Sequence, residues 1–324
     1  MKYRRILVIG GSGFIGSELV AKLAAQGHQV IVPSRRRERA RHLLVLPTVE
    51  VVQADIYQPV LLKGLVARVD AVVNLVGVLH DRPGVPYGPK FATAHVELPR
   101  RIADACISTG AKRMLHMSAL GVREGREHSM SSMYLRSKAA GEQALRSRGA
   151  LELTVFRPSV VFGPRDSFLN LFATLAQFAP FVPLARADAK LQPVFVQDVA
   201  QAMINALNMS SSIGKTYELG GPEVFTLRDL VTLAANCSGH PRAVFGLPDF
   251  LGKLQATLLE FMPGPTLMSR DNFASLKVDN VLVNLQAAGF PALGITPSSL
   301  SAVAPGYLSG NTDLHSLARA KASR

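Results

Sequence analysis

This sequence predicts a doubly wound α/β fold, in which helices cover both faces of a parallel sheet. Three observations carry that expectation. The run Ile6-Leu7-Val8-Ile9 reads as a buried parallel strand. Glycines spaced Gly10-x-x-Gly13-x-x-Gly16 follow at once and lead into an amphipathic helix from Ser17 to Gln26. Short apolar runs then recur downstream, with crossover-length stretches between them.

The first strand, glycine turn and helix together are suited to a pyrophosphate. Gly10 permits the tight turn, Gly13 lets the main chain approach an anion with no Cβ in the way, and Gly16 brings the helix close to the strand. The helix N-terminus and its free N–H groups then face the negative charge. Gly10, Ser12, Gly13, Phe14, Ile15 and Gly16 are the dinucleotide contacts this arrangement predicts.

Gln29-Val30-Ile31-Val32 is the second strand, and it runs out into Pro33-Ser34-Arg35-Arg36-Arg37. A carboxylate here would bind the hydroxyls of an unphosphorylated adenosine ribose, and this stretch has none. Ser34 offers a hydrogen bond, and Arg35 and Arg36 offer charge-assisted contacts to a 2′-phosphate, so NADP(H) is expected in preference to NAD(H). Arg37, Arg39 and Arg41 lie farther from the strand end and read as a solvated helix face.

Val49 to Ile56 is the third strand, ending in Asp55 and Ile56, with the carboxylate suited to the adenine amino group. Asp70 to Gly77 is the fourth, where Val76 and Gly77 let the backbone run beside a coenzyme. Arg113 to Ser118 is the fifth. Between them, Gly64 to Arg68 and Pro99 to Thr109 read as helical or helix-ending segments.

Beyond the fifth strand comes Tyr134-Leu135-Arg136-Ser137-Lys138. Residues four apart share a helix face, so the Lys138 ammonium is expected to lower the Tyr134 phenol's pKa and to reach a nicotinamide ribose. Ser118 would orient a carbonyl or hydroxyl for Tyr134 to protonate or deprotonate during hydride transfer. The plain alternative is a helix that carries a half-buried aromatic and a surface lysine.

Taken in order, these motifs resemble the extended short-chain dehydrogenase/reductase superfamily. The resemblance rests on the glycine turn, Asp55-Ile56, Ser118, the Tyr134-x-x-x-Lys138 pair, and Arg157-Pro158-Ser159-Val160-Val161-Phe162-Gly163-Pro164. Val194 to Ala200 and Tyr217 to Gly221 add to it. More narrowly, His95-Val96-Glu97-Leu98-Pro99, His116 to Gly121, Tyr134 to Glu142 and Asp166 to Asn170 resemble the NADPH-binding accessory subunit of respiratory complex I and its bacterial relatives. The resemblance implies coenzyme contacts at Pro158 and Val161 as well as at Lys138. It implies a nucleotide-binding domain over residues 1–165 with a return near 191–208, and a smaller discontinuous lobe from 166–190 and 209–310. Residues 311–324 remain as a basic tail.

The formal net charge is +13. Residues 1–50 and 315–324 together supply nine of those charges, and no basic stretch is interleaved with aromatics in the way that stacks bases, so a nucleic-acid partner is not expected. An anionic membrane face, an acidic partner subunit, or a basic shell that aids solubility would each account for the basic ends. Two distant cysteines, Cys106 and Cys237, predict a reducing compartment with no disulfide framework. The eight histidines lack paired ligand spacing, and no metal site is expected. A first strand beginning at residue 6 leaves no room for a leader, which points to a cytoplasmic chain or one already processed.

Two apolar stretches need a place. Phe168 to Leu184 is broken by Asn170, Gln177, Pro180 and Pro183 and is too short to span a bilayer, so it reads as a buried helix of the lobe or as a lid or docking surface. Pro248 to Met262 spaces Phe250, Leu251, Leu254, Leu258 and Phe261 as an amphipathic helix, read first as core and otherwise as a contact with a membrane or a partner. Thr226 with Asp229 marks a helix start resembling a capping box.

Two functions fit these features. One is a subunit of complex I type that holds NADPH in a structural or sensing role, associated with complex I subunits and peripheral on the cytoplasmic face of the inner membrane. The other is an NADP-dependent oxidoreductase or epimerase/dehydratase that uses Tyr134 on a lipophilic small molecule, since residues 168–184 lack the polar groups that a sugar nucleotide would need.

Overall fold

The computed structural model describes residues 2–125, 129–261, 268–283 and 289–309. They fall into two compact units. The first draws on residues 2–125, 129–158, 196–219 and 289–296, and the second on 159–195, 220–261, 268–283 and 297–309.

The first unit is a seven-stranded sheet paired in parallel throughout. Its strands are β1 (Arg5–Ile9), β2 (Gln29–Ser34), β3 (Val49–Gln53), β4 (Ala71–Asn74), β5 (Arg113–Met117), β6 (Glu152–Pro158) and a last strand, Thr216–Leu219. Across the sheet they lie in the order last strand, β6, β5, β4, β1, β2, β3. From β1 the chain winds outward through β2 and β3, then crosses back to β4 and winds the other way. The switch of direction falls between β1 and β4, beyond whose carboxyl ends ligands bind in sheets of this kind.

Burial explains the pattern. Leu7, Ile9, Val72, Met114 and Val155 point to one face, into a core closed by the helices Pro59–Val66 and Leu98–Thr109. On the other face the helix Phe14–Ala25 packs against Val196–Asn208. The strands stop sooner than their apolar runs suggest: Asp55 and Ile56 lie past β3, and Val76 and Gly77 past β4, in irregular backbone free to meet a ligand.

The domain limits differ from those the resemblance implied. After Pro158 the chain leaves the sheet, and Val161–Phe162 pairs with Val194–Phe195, so residues 159–165 and 191–195 belong to the second unit. Conversely, residues 209–219 belong to the first, because they carry its last strand. A fully buried Arg113 ties that return in place. Its guanidinium donates to the carbonyls of Glu152 (2.7 Å) and Ala206 (2.7 Å) and to the hydroxyls of Thr154 (2.9 Å) and Ser212 (2.8 Å). The basic tail 311–324 lies outside the described residues.

In the second unit the helices Leu169–Phe178, Leu227–Cys237 and Leu300–Leu308 close over one core that includes Leu169, Leu184, Leu230 and Leu300. Asp166 caps the first of these by accepting the Leu169 N–H (2.7 Å) and also takes the Tyr307 hydroxyl (3.0 Å). Thr226 and Asp229 form a complete capping box. Phe168 to Leu184 is not one helix: Pro180 follows the helix Leu169–Phe178, and Phe181–Ala185 becomes a strand parallel to Ala243–Leu247. Pro248 to Met262 contains the expected helix, Asp249–Phe261, but its large apolar side chains face outward rather than into the core. Only Gly252 and Ala256 of that helix are buried, because small residues alone fit against Ala185 and Phe273.

Cys106 is buried and Cys237 half-buried, both as free thiols. Among the described residues no helix is long and apolar enough to cross a membrane, and no group of histidine, cysteine and carboxylate side chains could hold a metal.

Candidate functional site

The glycine turn can be built only from glycine at its two critical points. Gly10 sits at φ +86°, a left-handed conformation, and a Cβ there would press on the Leu75 backbone at 3.2 Å. A Cβ on Gly16 would stand 2.3 Å from the Gly10 carbonyl oxygen and 2.7 Å from the Gly11 Cα. The close approach at Gly16 is thus to the turn itself. The helix starts at Phe14 rather than Ser17, with Gly13 as N-cap and neither a side-chain cap nor an acid in the first turn. Its first N–H groups and the positive end of its dipole are therefore available to an anion. Ser12 lies in the turn, with Phe14 and Ile15 half-buried at the helix start.

Past β2, Ser34 is buried and donates its hydroxyl to the Arg36 carbonyl (2.7 Å), so it shapes the turn. Arg35 and Arg36 are exposed, and Arg37, Arg39 and Arg41 are exposed on the 3-10 turn Arg37–Leu43. Burial raises the Tyr57 phenol, with Arg35 pulling it down and Asp55 pushing it up, which places these three side chains in one neighbourhood. Asp55 Oδ1 accepts the Tyr57 N–H (3.1 Å). The same 3-10 turn sends His42 back to the glycine turn. Ser17 donates its hydroxyl to the Gly13 carbonyl (2.7 Å), so the His42 Nε2, 2.8 Å from that hydroxyl, is the donor in their contact.

At the end of β5 the polar groups are buried and their protonation can be followed through the bonds. Asn74 Oδ1 accepts the Val76 N–H (3.2 Å), which turns its amide nitrogen toward His116 Nδ1 (3.2 Å). That nitrogen is then an acceptor, and the His116 proton sits on Nε2, which has no partner. His95 Nε2 accepts the Val78 N–H (3.0 Å), so its proton is on Nδ1 and points to the Ser137 hydroxyl (2.8 Å), which in turn donates to the Tyr134 carbonyl (2.7 Å). Burial, with help from the Lys138 charge, pulls His95 down to about 2 and His116 to about 3. Both are neutral imidazoles.

Lys138 is buried, not on the surface, and its ammonium donates to the Met117 carbonyl (3.1 Å). Burial pulls its pKa down to about 8, against the opposing charge of Glu142. A Cβ on Gly77 would lie 3.5 Å from that nitrogen, so the loop after β4 runs beside it. The half-buried Tyr134 has its ring centroid 5.9 Å from the Lys138 nitrogen. Its phenol is pushed up to about 12 by burial, contrary to the lowering that the spacing suggested, because burial desolvates the phenolate. Ser118 is buried and its hydroxyl has no hydrogen-bond partner. The trio is gathered at one strand end, with no bond from Ser118 to Tyr134.

The helix Met133–Arg146, which carries Tyr134 and Lys138, is held by residues to which their motifs alone assign no role. Glu142, fully buried, accepts Arg157 Nε (2.9 Å) and Nη2 (2.7 Å) in a two-pronged pair, with Glu124 at 3.0 Å. A Cβ on Gly141 would collide with the His95 carbonyl, at 2.0 Å, so this helix rests directly on the π-helical turn Ala92–Glu97. Pro158 ends β6, where its carbonyl accepts the Leu120 N–H (2.9 Å). Val161 lies in the second unit, paired in register with Val194.

Residues 6–220 match the NAD dependent epimerase/dehydratase family. The chain belongs to that family. Among relatives of this epimerase/dehydratase-family chain, the mitochondrial NADH dehydrogenase (ubiquinone) 1 alpha subcomplex subunit 9 of Arabidopsis thaliana is 32% identical over 308 residues, covering 90% of this chain and 74% of that one. Its namesake in Mus musculus is 30% identical over 299 residues, covering 90% and 76%. The fold is that of the Thermus thermophilus UDP-glucose 4-epimerase solved with NAD, at a TM-score of 0.63 and 23% identity, covering 84% of this chain and 99% of that one.

Proposed function

We propose that this epimerase/dehydratase-family chain binds NADPH in its first unit and serves as an accessory subunit of complex I type, holding the coenzyme in a structural or sensing role. The observation that carries the reading is the pair of features past the carboxyl ends of β1 and β2: a helix N-terminus open to a pyrophosphate behind Gly10 and Gly16, and exposed Arg35 and Arg36 where a ribose-binding carboxylate would otherwise stand.

In this reading residues 10 and 12–16 hold the pyrophosphate, while Ser34 shapes the turn that presents Arg35 and Arg36 to the 2′-phosphate. Asp55 and Ile56 border the adenine, and Val76 and Gly77 border the coenzyme midway. Lys138, with Pro158, takes the nicotinamide end. The unpartnered buried Ser118 Oγ and His116 Nε2 fit a site that a polar ligand or an internal water completes. Bound NADPH supplies a hydride. At neutral pH the Tyr134 hydroxyl keeps its proton, the Lys138 ammonium is charged, and the two histidines stay neutral.

Association with complex I subunits is supported by the similarity to the alpha subcomplex subunits over 90% of the chain. We place the protein on the cytoplasmic face of the inner membrane, as a peripheral component. A second reading, an NADP-dependent oxidoreductase or epimerase/dehydratase acting on a lipophilic carbonyl or hydroxyl, is favoured by the retention of Ser118, Tyr134 and Lys138 at one strand end.

Purification of the native protein in mild detergent, with mass spectrometry of the co-purifying chains and an assay of bound NADPH against added quinones, ketones and aldehydes, separates the two. Quinone reductase subunits with an inert coenzyme are expected. Steady turnover abolished by Tyr134→Phe would establish the second reading.

A further inference from the structure

The second unit carries an apolar surface that its own core does not use. In the strand pair Phe181–Ala185 and Ala243–Leu247, Val182, Leu184 and Val244 point inward to the core, while Phe181, Pro183 and Phe245 line the outer face. The Phe181 and Phe245 rings meet edge to face at 6.0 Å. The helix Asp249–Phe261 runs alongside, joined where Gln255 Nε2 donates to the Pro183 carbonyl (2.9 Å). Packed inward through Gly252 and Ala256, that helix turns Phe250, Leu254, Leu258 and Phe261 outward. Side-chain exposure across these phenylalanines and leucines runs from 50% at Phe181 to 74% at Phe261. Isolated exposed apolar residues are ordinary, but a continuous sheet-and-helix face of them marks a contact surface.

We propose that this face rests on an anionic lipid bilayer, with the helix Asp249–Phe261 lying in the headgroup plane and its phenylalanines and leucines entering the acyl boundary. Polar groups around the face favour lipid over a protein partner. Asp249 is paired with Arg186 (2.7 Å) and Glu260 with Arg270 (2.8 Å). The Thr257 hydroxyl donates back to the Lys253 carbonyl (2.8 Å), and Gln255 is committed to Pro183. These groups are satisfied within the chain, so entering an apolar medium leaves no unmet hydrogen bond among them. The helix's carboxylates are paired with arginines, and Lys253, its one lysine, has no ion pair among the described residues. Its methylene stem can lie along apolar surface while the ammonium stays among anionic headgroups. The proposal deepens the peripheral placement given above and is independent of coenzyme binding.

The test is co-sedimentation of the full chain with vesicles of phosphatidylcholine alone and of phosphatidylcholine mixed with phosphatidylglycerol. NADPH titration and sedimentation-velocity analysis of each variant run in parallel. The expected result is binding to the mixed vesicles that persists in part at high salt, falls about tenfold or more in Phe250→Ser/Leu254→Ser, and falls less in Lys253→Glu, with NADPH affinity unchanged in both. Binding that salt abolishes and that Phe250→Ser/Leu254→Ser leaves intact would assign it to the basic ends of the chain and overturn the proposal. A dimer that the same double variant dissolves, without vesicle binding, would assign the face to a second copy and overturn it as well. A monomer that never sediments would do the same. Loss of NADPH binding in the unsubstituted chain would count against the coenzyme reading alone.

Discussion

The ammonium of Lys138 donates to the backbone carbonyl of Met117 over 3.1 Å, inside the first unit and away from water. That burial is why its pKa falls to about 8. The protonated form donates the stronger, charge-assisted hydrogen bond to a ribose hydroxyl, so coenzyme affinity is expected to decline as pH rises through about 8. Lys138→Met should weaken binding about tenfold at pH 7 and flatten that dependence. Fluorescence titration of NADPH between pH 6.5 and 9.5 checks both, and an unaltered profile in the variant would remove Lys138 from the site.

Arg35 supplies a cation just past β2 and shares its neighbourhood with Asp55 and Tyr57. Arg35→Ala is expected to lower NADPH affinity by about tenfold or more while changing NADH affinity little, since only the former carries the 2′-phosphate. Equal losses for the two forms, measured side by side, would contradict the assignment.

Gly16→Val puts carbon within 2.3 Å of the Gly10 carbonyl oxygen. The turn must then open, and both coenzyme forms should lose affinity together, with a thermal midpoint several degrees lower. Retained binding with an intact turn would show that the close approach is not required.

Glu142→Ala leaves the Arg157 guanidinium with the more exposed Glu124 and Glu218 but without its buried two-pronged partner, at a cost of about 3 kcal/mol in a urea titration. Replacing both, as Glu142→Leu with Arg157→Met, should cost less than the sum of the two singles, because neither member of the buried pair stays behind without the other. Additive losses would mean that the pair is not coupled.

His95 and His116 connect the site to acid stability. In the unfolded chain each takes up a proton below its ordinary value near 6.5, whereas in the folded chain they resist down to about 2 and about 3. The unfolded state binds the extra protons, so the stability that neutral burial contributes is complete above pH 6.5 and is lost as pH falls toward 3. Each histidine accounts for at most about 1.4 kcal/mol per pH unit. His116→Leu should flatten the slope by about one proton, read from urea midpoints between pH 4 and 7, and an unchanged slope would refute the neutral assignment.

The doubly wound sheet was legible because its signals are local. A run such as Ile6-Leu7-Val8-Ile9 beside three spaced glycines admits few alternatives, and the strands fell where such runs lay. The return of residues 209–219 to the first unit was not legible, since it depends on a buried arginine reaching Ala206 and Ser212 from nearly a hundred positions away. That the helix Asp249–Phe261 turns its apolar face outward, the alternative to the core packing read first, was not legible for a related reason: periodicity reports that one face is apolar and is silent on which face the neighbours cover. Within the candidate site, Tyr134, Lys138 and Ser118 could be given roles from their motif, but the supporting roles of His95, His116, Asn74 and Glu142 could not, because each acts through a partner at least fifteen residues distant. A signal for two of them was present. Asn74 and His116 are polar residues at the ends of runs otherwise apolar, and they pair in register across β4 and β5.

The central claim is that this chain holds a 2′-phosphorylated nicotinamide coenzyme. Isothermal titration calorimetry of the purified full chain with NADPH and NADH tests it most directly. Saturable binding of NADPH at least about tenfold tighter than NADH is the result expected here, and no heat of binding from either form would contradict the account.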